Sequence, residues 1–565
     1  MNSRIGSVER PNIILVQADQ LAARALGAYG NGCSQTPTMD ALADDGVVFE
    51  RAYCNSPLCA PSRASMLTGQ LPSAIGAYDN ASDFGTSVPT FAHHLRREGY
   101  RTALIGRMHL IGPDQQHGFD ERLTTDVYPA TFDMVPDWSL DAGDRLPWYH
   151  NAESVLNAGV ATATVQRDFD EEVTFRSLRY LADRARDPSG QPFFMVTSFI
   201  HPHDPYEPPA EQWHRYDGVE LDAPRVPTIP WGEQDPHSRR LLAMCGLDRQ
   251  TPTDEQIARA RRAYYASVTF VDDQIGRLVR RLDELGLRDN TVVVVTSDHG
   301  DMLGERGLWY KMSPFEGSAR VPLIVHAPGR LRPGRVGQVV SLVDLAPSLV
   351  DIAGGAPPAG DGRSWWPLAR QEASEAPGEA VIEYLAEGVS APHLTLVRGA
   401  LKLTVCPGDP DQLFNLADDP DELRNLAGEP GWASVREELR AALLAGRDVD
   451  GLRDRVRSSQ DRRRLIAGAL SVGLPTAWDH EHAELSSARY VRGDFWGALE
   501  RGRLTPADLG ATGADAACSA TPTASPPAAR VEPTADGEVV PLAAGGVGEA
   551  SPASAQGGRP RSRVA

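Results

Sequence analysis

Cys59 is followed at once by Ala60-Pro61, and Arg63 stands one helical turn further on, within the segment CAPSRASMLTG at 59–69. A proline in the first turn suits the start of a helix. Cys59 then sits at a helix entry, where unpaired N–H groups and the dipole favour an anion. Arg63 can reach back to the same anion with a two-pronged fork. A lone cysteine is commonly a small buried hydrophobe, so the chemistry rests on the segment as a whole. Two further pairs, Asp19-Gln20 and Asp298-His299, each follow a short apolar run. Polar residues just past buried strands lie at the carboxyl edge of an α/β sheet, where ligands bind. An aspartate there is otherwise an ordinary turn residue.

The elements that must position these residues are legible as periodic runs. NIILVQA at 12–18, Arg101–Ile105, Phe193–Ile200, Thr291–Ser297 and Val321–His326 read as strands. Helices are predicted from Thr36-Pro37 to Gly46, and over Ser62–Thr68, Thr90–Glu98, Asp168–Arg186, Thr253–Leu285 and Leu342–Ala353. Fully apolar strands alternating with helices imply an α/β fold, a large mixed, mostly parallel sheet sandwiched by helices. From about Gly378 the pattern changes to alternating strands at Val381–Tyr384, Leu394–Arg398 and Lys402–Val405, then a helix capped by Ser434 and running to Ala445. The expected organisation is a catalytic domain over 1–375, a smaller α+β domain over 376–450, an extension over 451–509 and a disordered tail over 510–565. That tail is rich in Ala, Pro, Gly, Ser and Thr and has too little apolar surface to offset its ordering entropy.

Composition narrows the function. The chain has 565 residues and a net charge of −20, which excludes nucleic acid as an expected partner, because phosphate binding needs a basic surface. No apolar run approaches the roughly 20 residues of a spanning helix, so no membrane partner is expected. The polar residues 1–11, with a strand pattern from Asn12, leave no room for a signal peptide. The six cysteines have no CxxC spacing, against a disulfide framework or zinc site. The compartment implied is the cytoplasm.

The 59–69 segment resembles the signature C-x-P-S-R-x-x-x-L-T-G of the sulfatase family, in the alkaline phosphatase superfamily. Three more stretches resemble that family in its own order: Pro11–Gln20, Thr296–Glu305 and Asp411–Leu426. The resemblance implies that Cys59 is oxidised to formylglycine (3-oxoalanine) by a formylglycine-generating enzyme. It implies that Asp19, Gln20, Asp298 and His299, with residue 59, hold a divalent metal. Such carboxylate-rich sets suit Ca²⁺ first, with Mg²⁺ or Mn²⁺ as alternatives. It gives Arg63 and Arg107 the hydrated aldehyde to steady, His109 a proton to remove, and His201 and Lys311 the sulfate and leaving oxygen to hold. Of His201 and His203, the first is the expected functional one.

Further stretches are similar to the choline sulfatases within the family: GAYDN at 76–80, RLTTD at 122–126, WYHN at 148–151, HPHDPY at 201–206, GLWYK at 307–311, and Arg462–Ile466, Trp478-Asp479 and Ala488-Arg489-Tyr490 near the C-terminus. The substrate implied is a small sulfate ester, choline-O-sulfate. Its quaternary ammonium needs aromatic faces and a carboxylate, for which the candidates are Asn80, Trp148, His150, Asn151 and Glu387. Homo-oligomerisation follows from the same resemblance. Arg107 stands where the family has lysine, Met134 where related chains tend to show an aromatic residue, and residues 493–500 depart from the subfamily's ending. Two competing functions follow: a phosphonate monoester or phosphodiester hydrolase on the same fold, and a catalytically dead binder of choline-O-sulfate.

Overall fold

The computed structural model describes residues 10–141, 144, 146, 149–372, 378–474 and 477–482. Trp148, the stretch Ala488-Arg489-Tyr490, residues 493–500 and the 510–565 tail lie outside the described residues.

Nine strands build the main sheet: β1 (Asn12–Ala18), β2 (Val47–Tyr53), β3 (Arg101–Gly106), β4 (Glu121–Arg122), β5 (Phe193–Phe199), β6 (Thr291–Thr296), β7 (Arg320–Val321), β8 (Leu323–His326) and β9 (Gly334–Ser341). Their order is β4-β3-β5-β1-β6-β8-β2-β7, with β9 also paired to β2. The run β4-β3-β5-β1-β6 is parallel, as is β2 with β9, while β8 runs antiparallel to β6 and β2. The sheet is mixed and mostly parallel, as expected.

The central strands β1, β5 and β6 are buried throughout. Alternate side chains go to opposite faces. Ile14, Val16, Met195 and Val293 join one apolar cluster with the helices Pro37–Asp44, Val165–Ala185 and Asp254–Glu284. Ile13, Leu15, Phe194 and Val294 join another with the helices Cys59–Thr68, Phe91–Arg97 and Leu345–Ile352. Burial on both faces is why these strands read as unbroken apolar runs rather than alternating ones.

Three expectations change in detail. Val321–His326 is two strands, because Pro322 has no N–H to give the ladder. Ser434 is no cap: the helix Ala433–Leu444 follows a 3₁₀ turn at Pro430–Trp432, and Ser434 lies inside its first turn. The N-terminus of Pro37–Asp44 is capped from outside, since Asp272 accepts from the amides of Thr38 (2.9 Å) and Met39 (2.8 Å). Strands β2 and β9 escape a reading by periodicity. Glu50 and Arg51 interrupt the first, and Gly334 and Gly337 the second.

A separate antiparallel sheet holds β10 (Glu379–Tyr384), β11 (His393–Arg398), β12 (Leu401–Val405) and β13 (Gln412–Asn415). Leu439 and Leu443 of Ala433–Leu444 pack on Leu394, Leu396 and Leu403 there. The helix Val449–Leu470 then returns to the main sheet's side of the molecule, where it meets Asp79 and Trp138.

Register sets the site. Ala18 pairs with Phe199, Gln17 with Thr296, and Gly106 with Ser198. Residues 19, 107, 200 and 297 therefore leave the parallel strands at one carboxyl edge. Gly106, at φ +103°, is needed there: a Cβ would run into the Ser198 backbone.

Candidate active site

The helix Cys59–Thr68 is buried along its whole length, and Cys59 opens it after an extended Leu58. The Ala60 N–H in its first turn donates to Asn80 Oδ1 (3.0 Å). Ser62 ties the helix to the end of β6 by donating to the Asp298 carbonyl (2.6 Å). Cys59 Sγ lies 3.2 Å from His299 Nε2 and 3.8 Å from Asp19 Oδ1. Burial, and then the Asp19 charge, push its thiol up to about 12, so at neutral pH it is a protonated thiol and a poor nucleophile.

Asp19, Cys59, Asp298 and His299 each offer a ligand atom within 4.8 Å of the others, and all are buried. Arg63 binds both carboxylates, through Nε to Asp298 (2.8 Å) and Nη2 to Asp19 (2.9 Å). Arg107 Nη1 makes a second ion pair with Asp19 at 2.9 Å. Burial opposes ionisation of Asp19, but the two guanidiniums outweigh it and hold the carboxyl well below the usual range. His299 Nδ1 bonds the Gly300 carbonyl (3.1 Å), which leaves Nε2 with its lone pair toward the cluster. Burial lowers that imidazole to about 4, so it is neutral. Two carboxylates and a neutral, oriented imidazole in a buried pocket fit a divalent cation. Gln20, at φ +66°, accepts from Lys311 Nζ through Oε1 (2.7 Å) and donates to Asp301 (2.6 Å).

Lys311 Nζ also lies 2.6 Å from His203 Nε2, and His203 Nδ1 lies 2.6 Å from the Asp204 carbonyl. His203 is thus a neutral acceptor for the ammonium; burial, then Lys311, hold it well below its ordinary value. The structure places His201 outside the lining of the cavity. Its Nδ1 pairs with buried Asp170 (2.7 Å) and its ring meets Phe270, whereas His203 lines the cavity over Cys59. His109, at φ +54°, is fixed by its amide to Asp126 (2.8 Å). Burial, then Arg107, lower it to about 3. Arg107 Nη2 lies 3.2 Å from Nδ1, which leaves the neutral ring's hydrogen on Nε2.

The cavity holds about 220 Å³. Cys59, Arg107, His109, His203 and Lys311 line it together with Asn80, Tyr128, Met134, Tyr149, His150 and Asn151. Arg107 lies over the Tyr128 ring (4.4 Å), and His150 stacks on Tyr310 and pairs with Asp204 (3.0 Å). The structure brings Asn80, His150 and Asn151 to the cavity. It places Glu387 instead in a neighbouring recess with Trp138, Leu146 and Met244, because the chain turns at Leu385–Val389 to pack on the Pro236–Cys245 helix. Tyr128, His203 and Asp204 were missed as site residues. Each lies within or two residues beyond the stretches RLTTD and HPHDPY, and that proximity was the available signal.

Comparison with known proteins decides the family. The Sulfatase family matches residues 11–356, which is more than half of the chain. The chain belongs to the sulfatase family. The choline sulfatase C-terminal family matches residues 454–505 of this sulfatase, and the C-terminal family of N-sulphoglucosamine sulphohydrolase matches 304–448. The sulfatase is 42% identical to a choline-sulfatase of Rhizobium meliloti over 86% of this chain and 96% of that one. It is 32% identical to an arylsulfatase of Clostridium perfringens over 61% and 75% of the two chains. Among solved structures it resembles a phosphonate monoester hydrolase of Silicibacter pomeroyi, with TM-score 0.62 and 28% identity over 77% of this chain and 95% of that one. A phosphonate monoester hydrolase of Agrobacterium radiobacter gives TM-score 0.63 at 24% identity over 79% and 96%, a likeness of fold. This sulfatase is a hydrolase of sulfate esters. Among the described residues no helix is long and apolar enough to cross a membrane.

Proposed function

We propose that this sulfatase hydrolyses choline-O-sulfate to choline and sulfate through a formylglycine at position 59. The observation that carries the reading is a small cavity over residue 59 whose lining combines cationic side chains with aromatic rings and a carboxylate. At about 220 Å³ it is below the roughly 300–1,000 Å³ of sites for drug-sized ligands, which suits a small alkyl sulfate. Arg107 and Lys311 face the ester's anionic end. Tyr128, Tyr149 and His150 offer ring faces, and Asp204 a carboxylate, to the quaternary ammonium.

One hydroxyl of the hydrated aldehyde releases its proton to water and its oxygen attacks sulfur; a new S–O bond forms, and the bond from sulfur to the choline oxygen breaks. Lys311, hydrogen-bonded to His203, protonates the departing alkoxide. The second hydroxyl then loses its proton to His109, as the family resemblance implies. The carbon–oxygen bond to sulfate breaks, and the aldehyde is restored. Asp19, Asp298 and His299, with an oxygen of residue 59 and Gln20 at the flank, would hold a divalent cation, Ca²⁺ by the hardness of the set. When bound, that cation supplies positive charge that acidifies an oxygen nucleophile and offsets the sulfate's charge. A thiol in place of the aldehyde would leave a sulfated sulfur with no second hydroxyl to expel sulfate, which is the chemical reason for the conversion.

The test is a substrate panel on protein from its native cell, with mass spectrometry of the Cys59 peptide from the same preparation. The reading predicts an aldehyde at 59 and the highest kcat/KM for choline-O-sulfate. A converted enzyme that prefers another sulfate ester overturns the choline assignment. The likeness to the Silicibacter pomeroyi enzyme motivates one second reading, phosphodiester or phosphonate hydrolysis, which a higher kcat/KM on those esters would establish.

A further inference from the structure

The C-terminal helix Val449–Leu470 reaches the active site without entering the cavity. Its Arg463 is almost fully buried and forks onto Asp79, with Nη1 on Oδ1 (2.5 Å) and Nη2 on Oδ2 (2.7 Å). Arg463 Nε is also held, by Ser459 Oγ (3.2 Å). Asp79 is completely buried and uses Oδ1 to accept from the Ala81 amide (3.0 Å) and Ser82 Oγ (3.1 Å), which tightens the turn around Asn80. Asn80 in turn accepts from the Ala60 amide beside the nucleophile position. Ala81 packs with Ile111, Phe132 and Val135, against which Ala467 of the same helix rests.

We propose that Arg463 is a positioning residue for the sulfatase reaction: through Asp79 it fixes Asn80, and through Asn80 the first turn of the Cys59 helix. A buried fork of this kind is a poor source of net stability, because two desolvated charges largely cancel their attraction. Its value is geometric, since two parallel N–H···O bonds define one orientation. The chain's C-terminal extension thereby acts on the geometry at residue 59 from outside the catalytic wall. The inference rests on the reading of residue 59 as the nucleophile.

The test is a double-mutant cycle on the full-length enzyme with Arg463→Met and Asn80→Ala. Both 4-nitrophenyl sulfate and choline-O-sulfate are assayed, and rates are normalised to the aldehyde content of the Cys59 peptide. Using two substrates separates a wrong choline assignment from a failure of the positioning claim. Arg463→Met is expected to lower kcat/KM at least about tenfold on both substrates, the scale of a small misplacement near the reacting atoms. In the Asn80→Ala background the same change is expected to cost less than about twofold. Arg463→Lys, which keeps the charge without the fork, is expected to recover only part of the loss. Exposed Arg462 beside it, changed to Met, should leave kcat/KM unchanged. Fully additive losses, or an unchanged kcat/KM in Arg463→Met, would overturn the proposal. If Arg463→Met gives no folded protein, Asp79→Asn and Arg463→Lys run the same cycle with the same expected non-additivity.

Discussion

Lys311 and His203 share one short contact, 2.6 Å, in a place where neither is exposed. An ammonium beside a neutral imidazole is a proton source held next to its acceptor. His203→Ala is therefore expected to lower kcat/KM by about 100-fold with a modest change in Tm. His201→Ala should do the reverse, lowering Tm more than kcat/KM, because it removes the buried Asp170 carboxylate's side-chain partner (2.7 Å) and leaves it only the amides of residues 200 and 201. The measurement is kcat/KM and Tm for both variants. If His201→Ala proves the inactive one, the site as described here is wrong. The two histidines are two residues apart in HPHDPY, and nothing in their types distinguishes them. Only the direction in which the chain leaves β5 sends one ring down onto Asp170 and Phe270 and the other up over Cys59.

At the scale of elements, the Pro37–Asp44 helix depends on a carboxylate from the long Asp254–Glu284 helix. Asp272 is buried and its carboxyl is raised to about 6, burial being the cause. A folded value above the unfolded one means the folded chain holds that proton more tightly. Stability from this group is then full below about pH 4 and is lost as pH rises to about 6, by on the order of 3 kcal/mol. Asp272→Asn cannot ionise, so its Tm should gain on the wild type between pH 4 and pH 6 and keep pace above that. A constant Tm difference across that range would refute this assignment. Thr36 looked like the cap because Thr-Pro is a good opening. Its hydroxyl is instead spent on Asp40 and the Gly27 amide. That substitution shows where sequence reading ends. The two-face burial of β1, β5 and β6 imprints an apolar run anyone can see, and the pairs Asp19-Gln20 and Asp298-His299 follow the ends of β1 and β6. β2 and β9 carry charged and glycine positions that only their neighbours explain. Glu387 failed for a related reason: its type suits a cation, but a turn of the chain, invisible in periodicity, carries it to the next recess.

At the scale of the molecule, the active site is closed over two buried carboxylates and a neutral imidazole whose ligand atoms converge as a cation site requires. Asp19 and Asp298 converge on one point with Arg63 and Arg107 on their outer oxygens. A ligand bound by the folded state alone stabilises it by mass action. Treatment with a chelator is therefore expected to lower Tm and abolish turnover together, and added Ca²⁺ to restore both, with Tm rising as its concentration rises. Unchanged Tm and activity after verified metal removal would contradict the assignment of the cluster. The account as a whole turns on residue 59, a buried thiol that burial and the Asp19 charge push up to about 12 and that the proposed reaction requires as an aldehyde. The most direct measurement varies the converted fraction at Cys59 across preparations and plots it against kcat for choline-O-sulfate. The account predicts a straight line through the origin. Full turnover from protein whose Cys59 is entirely thiol would contradict it.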